Sequence, residues 1–326
     1  MIPPFTASIP GDNSIAEIKT ISLGGYPQKV LLRGNNRESP ILLYLHGGPG
    51  AGQMVLAPGY SSELEKHFVV AHWDQRGAGA SCSGVNWSTL TLDQIVKDTI
   101  ELAQKIGNGK KIFVIGHSWG SLVGVRAVQQ RPNLFYAYVG TGQLVHRDRQ
   151  EKISYDWVVK QAKAVGDAEA LKQLATIHPP YHTQAEFSLE RRWLSKYHGD
   201  TYQYGKEDAL LPVKILGPEY TLLTKLRYQK CFDTSLESFL EDRLNVNLLR
   251  DVPELQVPIY FFLGRHDFNT PTSLVEEWAG QLRAPHVEIV WFEEAGHSLG
   301  IEAPREFQEK LIEKLTSDLF KNASQK

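Results

Sequence analysis

A serine flanked by glycines follows a strand-length apolar run in the first half of the chain. Gly116, Ser118 and Gly120 form a GxSxG pattern between the apolar segment 112–115 and a helical segment that begins near Leu122. A serine on such a sharp strand-to-helix turn is presented above the sheet, and glycines are needed two positions before and after it, because a Cβ there would clash with neighbouring backbone. A hydroxyl is a strong nucleophile only when an adjacent base removes its proton. The pattern therefore predicts a nucleophile at Ser118 and requires a base elsewhere in the chain.

Two residues that could complete this chemistry come later, each just past a strand-like run. Chains with this serine turn supply the partners in the order serine, acid, histidine, at the carboxyl ends of strands. Asp267 ends the run IYFFLGRHD, and His297 follows VEIVWFEEAG. We predict that His297 is the base and that Asp267 orients it, with Asp251 and Glu293 as the alternative acids. We expect His117, which adjoins the serine, to point away.

Acyl transfer also needs backbone donors that stabilise an oxyanion. One N–H group comes from the residue after the nucleophile, here Trp119, and another from an early strand-to-helix loop. The turn HGGPG at 46–50 follows an apolar run, and its glycines let the backbone approach a substrate oxygen. We predict that Gly47 or Gly48 provides the second donor. Considered without the serine turn, the same residues would indicate an ordinary Gly-Pro turn.

Strands and helices alternate in the parts of the chain that carry these residues. Apolar runs at 41–45, 67–74 and 111–117 are typical of strands covered on both faces, and the segment 92–106 has helical spacing of apolar residues. This alternation predicts an α/β fold with a mostly parallel central sheet and helices on both faces.

The alternation stops near residue 145 and resumes only at Pro258, and the segment between has helical periodicity without a convincing strand. We therefore predict one catalytic domain in two parts, residues 1–143 and 253–326. A helical lid at residues 144–252 interrupts it.

Composition limits the classes of partner. The 326 residues carry 35 basic and 37 acidic side chains, a net charge of −2, so the chain lacks the clustered positive charge expected of a protein that binds nucleic acid or an anionic membrane. The longest apolar runs have the length of strands, and the first residues, MIPPFTASIPGDNS, do not resemble a secretory signal. We expect a cytoplasmic protein that binds a small molecule or short peptide, without nucleic acid or membrane. The sequence leaves the oligomeric state open.

The chain has two cysteines, Cys82 and Cys231, and neither has a CxxC partner. Two isolated cysteines do not form a zinc motif or a disulfide framework. We expect two reduced thiols, of which Cys82 could line the active site, and we predict neither a metal nor a cofactor.

The ordered motifs resemble the proline iminopeptidase-like branch of the α/β-hydrolases. HGGPG at 46–50, DQRGAGAS at 74–81 and GHSWGS at 116–121 occur in that family's order, followed by GRHDFNTP and EEAGHS. The resemblance implies an α/β-hydrolase fold, Ser118 as nucleophile and Asp267 and His297 as its partners. It also implies structural roles for Asp74 and Arg76.

The aminopeptidases of that branch release an N-terminal residue, often proline, and receive the substrate's free amine with acidic side chains. The resemblance therefore makes Glu190, Glu294 and Glu302 candidate substrate-binding residues, with solvated surface carboxylates as the alternative for each. Trp193 is a further candidate, as an aromatic residue of the lid segment that could line an apolar pocket, with helix packing as its alternative. The chain departs from one related branch in having Phe268, not glutamate, after the proposed acid.

Two adjacent arginines in the lid segment, Arg191 and Arg192, suit a substrate carboxylate or phosphate, although most such arginines are solvated.

Three functions remain open. The first is a cofactor-free serine aminopeptidase that acts through an acyl-enzyme. The second is an esterase, lactonase or carbon–carbon hydrolase with the same three residues, and the third is a ligand-binding protein on a hydrolase scaffold.

Overall fold

The computed structural model describes residues 3–202 and 217–323, and over these residues the chain forms an eight-stranded sheet in the order β1-β2-β4-β3-β5-β6-β7-β8. The strands are β1 Ile15–Leu23, β2 Tyr26–Gly34, β3 Ile41–Leu45, β4 Val69–Asp74, β5 Ile112–His117, β6 Phe135–Thr141, β7 Ile259–Gly264 and β8 Val287–Phe292. The pairs β1–β2 and β2–β4 are antiparallel, and all other neighbours are parallel. The predicted, mostly parallel sheet is confirmed.

The central strands are apolar on both faces because the sheet has a core on each side. Successive side chains of a strand point to opposite faces, so Leu43 and Val114 belong to one buried cluster and Leu42 and Phe113 to the other. Helices cover both faces, which explains why β3 and β5 are continuous apolar runs.

The helices of the described residues alternate with the strands from β3 to β6. They are α1 Ala57–Tyr60, α2 Leu92–Gly107, α3 Trp119–Gln130, α4 Arg147–Ala164, α5 Ala168–Leu174, α6 Gln184–Lys196, α7 Leu222–Ser238, α8 Leu240–Leu244, α9 Leu248–Asp251, α10 Thr272–Gln281, α11 Leu299–Glu302 and α12 Pro304–Ala323. Short 3-10 turns lie at Met54–Leu56, Leu64–Lys66, Gly79–Ser81, Trp87–Thr89 and Pro132–Leu134. The helix predicted over 92–106 is α2. Thr91 caps its N-terminus, and Asn108, in a left-handed conformation with φ 47°, caps its C-terminus.

Between β6 and β7, the regular elements of the described residues are the six helices α4 to α9. This agrees with the helical periodicity of that segment. Residues 203–216 belong to the same predicted lid and lie outside the described residues. Within residues 3–202 and 217–323, every helix is too short or too polar to cross a bilayer.

The expectation of two reduced thiols was wrong, because Cys82 and Cys231 form a disulfide with a Cα–Cα distance of 6.2 Å. Cys82 follows the turn Gly79–Ser81 after β4, and Cys231 lies in α7. The two residues are 149 positions apart, so their spacing carries no sign of the pairing, which arises only when α7 packs beside that turn. A disulfide is typical of oxidising compartments, and it therefore does not support the expected cytoplasmic location.

Candidate active site

The turn that carries Ser118 joins β5 directly to α3. Ser118 has φ 53° and ψ −120°, a backbone conformation that is strained for a residue with a Cβ, and its N–H donates to the Thr141 carbonyl at 3.0 Å. A Cβ on Gly116 would overlap the Gly120 carbonyl oxygen, and a Cβ on Gly120 would overlap that of Leu45. The requirement for both glycines is therefore steric, as the pattern predicts.

The two predicted partners of the serine are in contact with each other. His297 Nδ1 lies 2.8 Å from Asp267 Oδ2, and both side chains are buried. Thr270 donates its N–H to Asp267 Oδ1 at 2.8 Å and its hydroxyl to Oδ2 at 2.6 Å. Three donors thus fix the carboxylate, and the carboxylate in turn orients the imidazole.

This contact shifts the pKa of both groups. Burial raises the pKa of Asp267, but His297 and the Thr270 donors lower it by more, so that pKa lies below its ordinary value. Burial lowers the pKa of His297, whereas Asp267, with smaller contributions from Asp200 and Glu302, raises it above its ordinary value. An ionised carboxylate beside a basic imidazole is suited to proton abstraction.

Ser118 and His297 open into one cavity of about 590 Å³. Among the described residues, no hydrogen bond joins the two side chains, and such bonds commonly tighten only when substrate is bound. The expectation that His117 points away was wrong. Its ring, at the end of β5, faces the cavity with its centroid 4.9 Å from that of His297, and burial is the largest cause that lowers the pKa of His117 to about 3.

The two predicted donor loops meet at the serine. Gly47 approaches so closely that an added Cβ would lie 3.0 Å from the Ser118 Cβ, and Gly48 has φ 113°. Both glycines and Trp119 line the cavity.

Gln75 connects these loops. It donates through Nε2 to the His46 carbonyl at 3.1 Å and accepts from Trp119 Nε1 at 3.3 Å. Its own N–H donates to His46 Nε2 at 3.1 Å. The DQRG motif thus supports the loops, and its Arg76 is buried against Asp98 at 2.9 Å. Asp74 accepts from the Ala80 N–H at 2.8 Å, and burial raises its pKa to about 6.

The four candidate substrate-binding residues lie away from the described wall of the cavity. Glu190 is fully buried, and it accepts from the Ser154 hydroxyl at 2.8 Å and from Arg191 at 2.5 Å. Trp193 packs among side chains of α4, α5 and α6, and Glu294 is exposed. The sequence suggested that these residues bind substrate, but the packing of the helices directs Glu190 and Trp193 away from the cavity.

Glu302 holds the loop that carries His297. Its carboxylate accepts from the N–H groups of Gly296 at 2.8 Å, Ser298 at 2.7 Å and Tyr202 at 2.7 Å, and burial raises its pKa. These contacts indicate that Glu302 positions the backbone around His297.

Charged residues that sequence reasoning missed line the cavity, together with the anticipated Arg191 and Arg192. The missed residues are Arg147, Glu151, Asp200 and Arg243. Arg147, Glu151 and Arg243 lie on helices without a motif, and Asp200 lies just after α6, so the sequence offers no signal for them. Thr270 was also missed, although its position three residues after Asp267 is a signal for a capping hydroxyl.

A family model described as the alpha/beta hydrolase family matches residues 42–309. The chain is 31% identical over 310 residues to the probable aminopeptidase YbaC of Bacillus subtilis (strain 168), a match that covers 93% of this chain and 97% of that relative. A solved proline iminopeptidase of Mycobacterium smegmatis shares the fold, with a TM-score of 0.68 at 16% identity over 93% of this chain and 98% of that one. A proline iminopeptidase-related protein of Thermus thermophilus has a TM-score of 0.60 at 25% identity, over 93% and 98% of the respective chains.

Proposed function

The chain belongs to the alpha/beta hydrolase family, in its proline iminopeptidase-like branch, and on that premise we propose that it is a serine aminopeptidase that cleaves N-terminal residues from small peptides or amides. The observation that carries this proposal is the match to a probable aminopeptidase along nearly the full length of both chains. The Asp267–His297 contact beside Ser118 supplies the chemistry.

Ser118 attacks the scissile carbonyl while His297 takes its hydroxyl proton, and an acyl-enzyme forms when His297 returns that proton to the leaving amine. Water then attacks the acyl carbonyl while His297 takes one of its protons. His297 returns that proton to Ser118 Oγ as the ester bond breaks, and the N-terminal amino acid leaves. Asp267 holds the imidazole in the tautomer with the proton on Nδ1 and stabilises its charged form. The backbone N–H of Trp119 and that of Gly47 or Gly48 stabilise the oxyanion.

Asp200 is the carboxylate that we assign to the substrate's free amine. It lies on the cavity wall, its backbone carbonyl accepts from the His297 N–H at 2.9 Å, and its charge contributes to the raised pKa of His297. The other carboxylate on the described wall, Glu151, is engaged by Arg147 at 2.8 Å and by the Tyr181 N–H at 2.7 Å. The Asp200 carboxylate accepts from the Ser195 and Thr201 hydroxyls, and among the described residues it has no cationic partner within 4 Å, so it suits an ammonium group close to the reacting bond.

The helices between β6 and β7 form the lid in this proposal, with residues 144–252 as the inserted unit. Side chains from α4, α6, α7 and α8 supply one wall of the cavity, opposite the strand ends. Exclusion of water by such a cover strengthens the polar contacts inside the site.

Labelling with a fluorophosphonate probe tests the nucleophile. We expect the wild-type protein to be labelled and Ser118→Ala to remain unlabelled. Ser188→Ala, which changes another serine on the cavity wall, is the matched control and should be labelled like the wild type. Undiminished labelling of Ser118→Ala would refute the assignment.

Turnover of proline and alanine anilides tests the aminopeptidase activity. Free-amine anilides should be hydrolysed faster than their N-acetylated forms, and Asp200→Asn should reduce this difference. Equal rates would favour the esterase or lactonase alternative, which a panel of acyl esters and lactones examines directly. Single-turnover labelling without hydrolysis of any member would favour a ligand-binding protein.

A further inference from the structure

Three arginines face the same part of the cavity from different lid helices. Arg147 is on α4, Arg191 on α6 and Arg243 on α8, and all three line the cavity that contains Ser118. The guanidinium groups of Arg191 and Arg243 lie over the Phe187 ring, 4.7 and 5.1 Å from its centroid. The tertiary structure thus concentrates positive charge at one region of the wall.

Two of these charges are neutralised by carboxylates. Arg147 pairs with Glu151 at 2.8 Å, and Arg191 pairs with Glu190 at 2.5 Å. Both carboxylates are themselves buried, so the opposite charges of each pair neutralise each other.

Arg243 is different. Over residues 3–202 and 217–323, no carboxylate oxygen lies within 4 Å of its guanidinium, which donates instead to two neutral oxygens, Gln184 Oε1 at 2.6 Å and the Leu236 carbonyl at 3.0 Å. Both bonds use Nη2, and the buried Nε, like that of Arg191, has no hydrogen-bond partner among the residues that the structure describes. Burial is the largest cause that lowers the pKa of Arg243 to about 10; repulsion from Arg147 and Arg191 adds to it, and attraction to Glu151 opposes it.

A partly buried guanidinium that makes no direct ion pair is costly, and the cost is reduced when an anion binds to it. The planar fork of arginine matches a carboxylate, which it can hold through two parallel N–H···O bonds. We propose that Arg243 receives a carboxylate of the substrate, so the substrates of this site are short peptides that carry a free carboxylate. This inference rests on the proposed aminopeptidase function.

The carboxylate could be the C-terminus of a di- or tripeptide or an acidic side chain at the N-terminal residue. A cavity of about 590 Å³ is of the size that holds a small ligand. With Asp200 near His297 and Arg243 on the lid, the wall carries one acceptor for an amine and one donor for a carboxylate, which is the charge pattern of a short zwitterionic peptide.

Calorimetry on the Ser118→Ala background measures recognition without turnover. Alanyl-alanine should bind at least about tenfold more tightly than its C-terminal amide, a difference typical of one charge-assisted pair. Arg243→Gln should abolish the preference for the free acid and leave binding of the amide unchanged, and Arg243→Lys should restore part of it. Arg227→Gln, an exposed arginine on α7 away from the cavity, is the control and should behave like the parent.

Turnover of glutamyl and glutaminyl anilides by the wild-type protein identifies the source of the carboxylate. A preference for the glutamyl anilide that disappears in Arg243→Gln assigns an acidic side chain, and a preference confined to the free dipeptide assigns the C-terminus. If Arg243→Gln retains every preference, or if neither carboxylate improves binding or turnover, the inference is wrong. Loss of the aminopeptidase activity alone would appear as absent anilide turnover, while calorimetry would still report the carboxylate preference.

Discussion

The two sides of the cavity are built in different ways. On the sheet side, Ser118, Asp267 and His297 follow strand ends, and backbone geometry and buried hydrogen bonds hold them. The other side, called the lid side here, is formed by the helices α4, α6, α7 and α8 of the proposed lid. Its charged residues Arg147, Glu151 and Arg243 project from helices whose sequences have no motif. We infer that the sheet side fixes the reaction and the lid side selects the substrate, so changes on the two sides should have separable effects.

The largest effect is expected from Asp267→Asn on the sheet side. An asparagine would hold the imidazole in the wrong tautomer, and the corresponding change in serine proteases lowers kcat by about 10⁴-fold. Anilide turnover should fall by about 10³- to 10⁴-fold. The control is Asp251→Asn, which removes the surface ion pairs with Arg126 and Arg250 and should retain activity. If Asp251→Asn loses activity and Asp267→Asn retains it, Asp251 is the acid.

A second effect concerns the rigidity of the serine turn. Gly120→Ala should destabilise the fold by about 2–4 kcal/mol, because its Cβ would overlap the Leu45 carbonyl. Gly280→Ala is the matched control in α10, where an added Cβ meets no atom within 4 Å. A helical glycine changed to alanine should stabilise by up to about 1 kcal/mol. Urea unfolding of the two variants measures both values, and equal stabilities would contradict the steric account.

The disulfide joins the two sides. Replacing Cys82 and Cys231 together with serine should lower the free energy of unfolding by about 2–4 kcal/mol, since the link closes a long loop in the unfolded chain. Unfolding with and without reductant measures the change. Thiol titration of the native protein before reduction is the control, and two reactive thiols at that stage would restore the sequence-based expectation.

The smallest effect is a shift in the pH dependence of turnover. His297 must be neutral to accept a proton, so kcat/KM should fall as the pH drops through its raised pKa, which lies above the ordinary histidine value of about 6.5. Asp200→Asn removes a charge that raises this pKa, so the acidic limb should move to lower pH. Glu294→Gln, an exposed carboxylate, should leave the limb in place. An unchanged limb in Asp200→Asn would contradict the electrostatic contact.

Much of the sheet side could be predicted from the sequence. The strand runs, the glycines around Ser118 and the chain order of Asp267 and His297 are visible in the sequence. The structure places Ser118 and His297 on one cavity and Asp267 in contact with His297. His117 was misjudged because the direction of a ring at a strand end depends on what packs against it. Thr270 was missed although its spacing to Asp267 was visible.

The lid side was predicted only as helical. Periodicity reports which residues of a helix share a face, but not which neighbour covers that face. Glu190 shows the consequence, because a glutamate expected to bind substrate is buried against Ser154 and Arg191. Arg243 shows the converse, since an unremarkable arginine on a five-residue helix lines the cavity.

The sequence by itself determined the α/β alternation, the serine turn and the order of its partners, because hydrophobic periodicity and tight turns depend on residues close together in the chain. Only the tertiary structure decided that Cys82 meets Cys231, that Gln75 ties two loops together and that Arg243 faces the cavity without a described carboxylate partner. Each of these contacts joins segments distant in sequence, so its geometry arises only when those segments pack together in the folded chain.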